Sequence, residues 1–232
     1  MNILAFDTCF DACSAAAGRG LRSLTPSISF ATEPMAIGHA ERLLPMVEMV
    51  LSEVGMTVSQ LDRIAIASGP GTFTGARIAV SAARALALAS GAVVVAVTSL
   101  ELMAMNPAVT SGRNKTVAIA TDARRGEVYI QCFEARTLKP FGPPTVLSVK
   151  RAAASLGQGP ILITGSGAAD VAEEAQSLGL DATAVLPGLL PEAIDMLFAA
   201  ASLPTVNSVA PLYLRPPDAK PPAPSPFSSV FA

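Results

Sequence analysis

The chain has no tryptophan, one histidine, two tyrosines and three cysteines in 232 residues. A single imidazole, His39, excludes any metal centre that needs two histidines from one chain. It also leaves a serine nucleophile without a ready base, and Ser14, Ser68 and Ser99 lack the Gly-x-Ser-x-Gly elbow. Cys9, Cys13 and Cys132 are odd in number and have no C-x-x-C spacing, so they read as free, reduced structural thiols. Charge is scarce too: 15% of residues are charged and the net charge is −2. The sixteen Lys and Arg are scattered, so no basic stripe exists to neutralise a run of phosphates, and tight binding of nucleic acid by this chain alone is not expected. Long apolar runs are missing although 51% of residues are hydrophobic. The longest uncharged stretches, 85–100 and 152–169, contain glycine and fall short of the roughly 20 residues of a membrane span. No basic segment precedes the first apolar residues, and Asp7 interrupts them. The start therefore reads as a strand and not a signal peptide, in a protein of the cytoplasm with no membrane contact. Such an apolar composition points to a surface covered by another protein.

What is present centres on Gly69-Pro70-Gly71-Thr72-Phe73-Thr74-Gly75-Ala76-Arg77, between the short apolar run 64–67 and the Ala-rich segment 78–89. This predicts a strand, a glycine turn and a helix. Pro70 followed by Gly71 suits a type II turn, with Gly71 at positive φ, and Thr72 or Thr74 can cap the helix. Gly69, Gly71, Thr72, Thr74 and Gly75 make either a tight joint or, with amides and helix dipole converging, an anion contact. The pattern departs from a P-loop, which ends in Gly-Lys-Ser/Thr; no lysine lies between Met1 and Arg113.

In chain order, residues 2–7, 12–17 and 24–31 read as a meander of three strands. From His39 to Val54, Leu43, Leu44, Val47, Val50, Leu51 and Val54 recur at helical spacing, with Pro45 giving a kink or a later start. Met46, Met49 and Met56 lie off that stripe, either filling core gaps or forming an adaptable partner surface. The strand 61–67, the helix 74–89 and the strand 93–97 form a right-handed βαβ unit, followed by a short helix capped by Ser99. Residues 106–114, rich in Pro, Ser, Gly and Asn, mark a boundary. Beyond it the pattern restarts: strands 116–121 and 127–134 flank the charged turn at Asp122, Arg124, Arg125 and Glu127, then come a strand at 161–164 and helices at 168–177 and 191–201. The charged turn is either a solvated tip or a recognition site for a nucleotide or partner. Asp7 is either a structural strand-end carboxylate or a metal ligand. Each half opens with a strand, an Asp, a turn and a strand, the logic of an α/β protein with two actin-like, ribonuclease-H-type (ASKHA) subdomains. The spans are 1–108, 109–215 and a proline-rich tail, 216–232, expected to be extended or disordered.

The motif 69–78 is similar to Gly-Pro-Gly-Ser-Phe-Thr-Gly-Leu-Arg-Ile of the TsaB family (YeaZ-type) of bacterial tRNA threonylcarbamoyladenosine biosynthesis proteins. Residues 3–8, 38–46 and 122–129 resemble that family in the same order, as does Leu212-Tyr213-Leu214-Arg215. The resemblance implies the two-subdomain fold and a non-catalytic subunit. It would pair with a TsaD-like enzyme, and with a TsaE-like ATPase, to place threonylcarbamoyl on adenosine 37 of tRNAs that read ANN codons. It implies contact with tRNA only through the complex, and association through helices of the N-terminal half. The expected interface is His39, Leu43, Met46 and Met49 on the first helix and Arg77 and Arg84 on the second; a homodimer of the free chain is the alternative assembly. No cofactor is expected to bind tightly, with ATP or ADP held only in the complex. The catalytic relative, TsaD, uses a metal on a His-x-x-x-His pair, which this chain cannot supply. The rival readings are an ATP-dependent kinase or hydrolase of the actin-like superfamily and a glycoprotease-like peptidase.

Overall fold

β1 (Ile3–Asp7) and β2 (Ala12–Arg19) pair antiparallel, and β3 (Ser27–Pro34) adds to β2 in the same sense. The chain then crosses through α1 (His39–Glu53) to β4 (Arg63–Ala67), parallel to β1, and through α2 (Phe73–Ser90) to β5 (Val93–Val97), parallel to β4. The sheet order is β3-β2-β1-β4-β5. After α3 (Ser99–Ala104) and the single turn α4 (Pro107–Thr110), β6 (Thr116–Asp122) and β7 (Glu127–Glu134) pair antiparallel and β8 (Thr145–Ser148) joins β7. α5 (Val149–Ala154), β9 (Ile161–Thr164), α6 (Ala168–Ser177) and β10 (Ala182–Val185) follow, with β9 parallel to β6 and β10 parallel to β9. The second sheet runs β10-β9-β6-β7-β8, the same topology read from the other edge. The duplication expected from the two strand-Asp turns is thus complete: two actin-like subdomains. This computed structural model describes residues 1–110 and 116–215. The expected boundary at 106–114 falls partly, and the tail 216–232 wholly, outside the described residues.

Both faces of the first sheet are covered, which is why its parallel strands are continuously apolar. Leu4, Phe6, Ile64 and Ile66 pack under α1 and α2, while Ile3, Ala5, Ala65 and Val95 meet Leu102 of α3 on the opposite face. Small side chains at Ala76, Ala79 and Ala83 let α2 lie close to its sheet. α3 belongs to both halves, because Leu100 and Met103 pack on Val117, Ile119 and Phe133 of the second sheet. The last helix, α7 (Ala193–Leu197), and the 3-10 turn Ala199–Ala201 return to the first sheet, where Ala193, Met196, Leu197 and Ala200 are buried.

Several expectations are corrected. The third strand begins three residues late, at Ser27. α3 is capped by Thr98 and not Ser99: Thr98 Oγ1 accepts from the Glu101 amide at 3.0 Å while Glu101 accepts from the Thr98 amide at 2.7 Å, a capping box. α1 begins at His39 and continues past Pro45, so the helix does not start later. Met46 is fully buried with Leu43, Val47 and Val50. Its spacing from Leu43 is one helical turn, so it completes the core stripe and presents nothing to a partner. Burial of such a side chain contributes about 1.5–3 kcal/mol. The strands at 145–148 and 182–185 and the helix at 149–154 were not anticipated; each has six residues or fewer, too short for a period to show.

Candidate functional site

β4 ends at Ala67, and the chain turns through Gly69, whose φ is +110°, and a cis Gly69–Pro70 peptide before α2. The expected type II turn, with positive φ at Gly71, is not formed. Gly71 serves a different need: a Cβ there would lie 2.2 Å from the Cys9 carbonyl oxygen, and one at Gly75 would lie 1.9 Å from that of Thr8. Both glycines therefore let the helix start press directly on the β1–β2 turn. Hydrogen bonds complete the joint, with the Thr72 amide donating to Cys9 O at 2.7 Å and Thr8 Oγ1 to Gly75 O at 2.7 Å. Thr72 is the N-cap, accepting from the Gly75 amide at 3.0 Å. Of the amides an anion would use, those of Thr72 and Gly75 are already committed within the protein.

The turn forms one wall of a cleft of about 760 Å³ between the two halves. Phe10, Asp11, Thr72, Phe73 and Arg77 line it from the first half and Asp122, Arg124, Tyr129 and Ser166 from the second. It lies beyond the carboxyl ends of β1, β4 and β6, where open α/β sheets leave a crevice. Arg77 lies over the Phe73 ring and beside Tyr213: its guanidinium carbon is 3.6 Å from the Phe73 ring centre and 6.0 Å from that of Tyr213. Its Nε donates to Tyr213 Oη at 2.8 Å, and the two rings are 5.0 Å apart. Such stacking favours a guanidinium over an ammonium. In the second half the charged turn is internally bonded. Asp122 Oδ1 accepts from the Arg124 amide at 2.7 Å, the Asp122 amide donates to Ser166 Oγ at 2.9 Å, and Arg215 pairs with Glu127. Arg124 and Arg125 both sit at positive φ, 64° and 60°, a costly conformation for side chains of this kind.

Asp7 is fully buried. Oδ2 accepts from the Cys9 amide at 3.1 Å, while Oδ1 has no hydrogen-bond partner. Burial pushes this carboxyl up to about 7, against which the Cys9 amide pulls down. Burial, reinforced by the neighbouring Asp7 charge, likewise raises the Cys9 thiol well above its ordinary value. Asp122, the equivalent strand-end carboxylate of the second half, is exposed. Among the described residues no group of three or more His, Cys, Asp or Glu could hold a metal ion. His39 cannot join a histidine pair and is already engaged: its ring is buried and Nε2 lies 2.9 Å from the Phe10 carbonyl oxygen. The residues present do not fit the metal that the resemblance attaches to the catalytic relative.

The sequence-derived interface residues divide by exposure. Leu43, Met46 and His39 are buried, Met49 is half-buried, and Arg77 and Arg84 are exposed. The outer surfaces of α1 and α2 instead carry Leu44, 54% exposed, and Leu88, 89% exposed. Phe10, Tyr129 and Ser166 were missed as cleft residues; Phe10 and Ser166 follow shortly after the ends of β1 and β9, and Tyr129 stands near the start of β7 at the same edge, a signal available only once the duplication is aligned. No described helix is long and apolar enough to cross a membrane.

Residues 33–216 match the family model described as TsaD, tRNA N6-adenosine threonylcarbamoyltransferase. The chain is 37% identical over 129 residues to the tRNA threonylcarbamoyladenosine biosynthesis protein TsaB of Escherichia coli, covering 56% of this chain and 53% of that protein. It is 33% identical over 188 residues to an uncharacterized protein of Mycobacterium tuberculosis, covering 80% of this chain and 79% of that one. The match thus spans little more than half the length of the TsaB relatives from Escherichia coli and Haemophilus influenzae, 53% and 58%. Among solved structures, YeaZ from Pseudomonas aeruginosa is similar over 92% of this chain and 99% of that chain, at 32% identity and a TM-score of 0.77.

Proposed function

Since the chain belongs to the TsaD family of tRNA N6-adenosine threonylcarbamoyltransferases and is of its TsaB/YeaZ type, we propose that it acts in tRNA threonylcarbamoyladenosine biosynthesis as a non-catalytic subunit beside a TsaD-like transferase. The observation that carries the non-catalytic part is His39. The chain's one imidazole is buried at the start of α1 and bonded to Phe10 O, which leaves no histidine pair for the metal of a catalytic TsaD. The modified position would be adenosine 37 of tRNAs reading ANN codons, in the cytoplasm, with tRNA met through the complex.

The partner surface in this reading is the outer side of α1 and α2, which carries the exposed Leu44, Arg84 and Leu88 and the half-buried Met49, while the Arg77 side chain is engaged in the cleft with Phe73 and Tyr213. Large apolar side chains on adjacent helices suit a helix-on-helix contact. A TsaE-like ATPase would join the assembly, and pairing of two copies through the same helices is the alternative state of the free chain. The cleft is proposed to hold no nucleotide tightly by itself, with ATP or ADP bound in the complex. The glycines at 71 and 75 face the carbonyl oxygens of Cys9 and Thr8, an arrangement that packs backbone on backbone and not backbone on phosphate. Reconstitution decides the matter: purified chain, TsaD-like enzyme, TsaE-like ATPase and unmodified tRNA, with the modified nucleoside read by mass spectrometry. Product should require both this chain and the transferase. Product from this chain without the transferase would refute the non-catalytic assignment, and full product without this chain would refute the subunit role.

A further inference from the structure

Residues Leu212 to Arg215 cross the mouth of the cleft and touch both halves. At one end the Leu212 amide donates to Ser68 O at 2.8 Å, and a Cβ on Gly69 would come within 2.8 Å of the Leu212 carbonyl oxygen. The segment is therefore pressed into the turn before α2. In the middle, Tyr213 stacks on Phe73 and accepts from Arg77 at 2.8 Å. At the other end Arg215 pairs with Glu127, the first residue of β7, and donates at 3.1 Å to the carbonyl oxygen of Arg124 in the turn before it. All four residues line the cleft itself.

The two ends differ in kind. The Leu212 end is backbone on backbone, seated where a side chain would collide. The Arg215 end rests on an ion pair whose side chains are 25% and 39% exposed, the type of contact that solvent and salt weaken readily. Its turn is also held at positive φ by two arginines. We propose that Leu212–Arg215 is a strap anchored on the first half and latched on the second, which sets how far the two halves open, with the Arg215–Glu127 pair as the releasable catch. The inference does not rest on the proposed subunit role, because it concerns the two halves of this chain alone.

The test uses the full chain with spin labels on two exposed helix positions, Ser81→Cys on α2 and Glu173→Cys on α6, and with Cys132→Ser to avoid a third label. Arg215→Ala and Glu127→Gln should each broaden the inter-label distance distribution, and 1 M sodium chloride should broaden the parent's. The reversed pair, Arg215→Glu with Glu127→Arg, should restore a narrow distribution. Hydrogen exchange at the Leu212 amide, on the anchored end, and at amides of α1 should keep parent rates in Arg215→Ala. An unchanged distance distribution in both single variants overturns the proposal, even if the strap itself exchanges faster. Loss of α1 protection in Arg215→Ala overturns it too, since the strap would then be part of the core and not a latch.

Discussion

Gly75 and Thr8 sit back to back: Thr8 Oγ1 donates to the Gly75 carbonyl at 2.7 Å, and the Thr8 carbonyl oxygen lies 1.9 Å from where a Gly75 Cβ would stand. A backbone atom fills the place of a side chain, so neither partner can yield by rotating a torsion. Alanine is worth about 1 kcal/mol more than glycine inside a helix. Here that gain should be overwhelmed, and Gly75→Ala should destabilise by roughly 2–4 kcal/mol through forced backbone movement. Denaturant unfolding measures it; a stabilised Gly75→Ala would mean that α2 starts elsewhere in solution.

Helix surfaces give a paired prediction. Met46→Glu places a charge in the core beneath α1 and should abolish cooperative unfolding or lower stability by several kcal/mol. Leu44→Glu combined with Leu88→Glu alters exposed positions and should change stability by no more than about 1 kcal/mol, yet abolish capture of the TsaD-like partner. Circular dichroism melts and a pull-down on the same preparations separate the two effects.

Asp7 makes stability depend on pH in an unusual sense. Its carboxyl is held near 7 in the folded chain against an ordinary value of 3.8, so between those limits the folded protein keeps a proton that the unfolded chain releases. The contribution of this group is fully present below about pH 4 and is lost as pH rises to 7, a total change on the order of 4 kcal/mol. Asp7→Asn should therefore gain stability relative to the parent as pH rises from 4 to 8, less about 1–3 kcal/mol for a buried amide lacking a partner. The measured quantity is the difference between parent and variant at each pH. A difference that stays flat from pH 4 to 8 would show that Asp7 ionises normally.

Titration of ATP and magnesium into the purified chain should yield no micromolar binding. The β1–β2 turn offers Cys9 and Phe10 where a phosphate-binding hairpin needs glycine amides, and the Thr72 and Gly75 amides are internally bonded. Calorimetry detecting a tight magnesium-dependent site would favour the kinase reading instead.

Much of this was legible because it is local. The runs at 116–121, 127–134, 161–164 and 168–177 announced their elements nearly to the residue. The core role of Met46 was also written in its spacing from Leu43 and Val50, although methionine chemistry pointed outward. What escaped was long-range. Nothing near Tyr213 signals that it will meet Arg77, 136 positions away, and the return of α7 to the first sheet depends on a surface built from residues near the start. The use of Gly71 was misread for the same reason, since its constraint comes from Cys9 and not from its own turn.

That return has a consequence for the order in which the protein is made. Ile3, Ala5, Ala16 and Val95 emerge from the ribosome early, but the side chains that share their cluster, Ala193, Met196, Leu197 and Ala200, come roughly a hundred residues later. At translation speeds of about 5–20 residues per second, one face of the first sheet stays partly bare for on the order of 5–20 s. The nascent chain carries an adhesive half-domain through that interval, a window in which chaperone occupancy or the pace of translation sets the yield of folded protein.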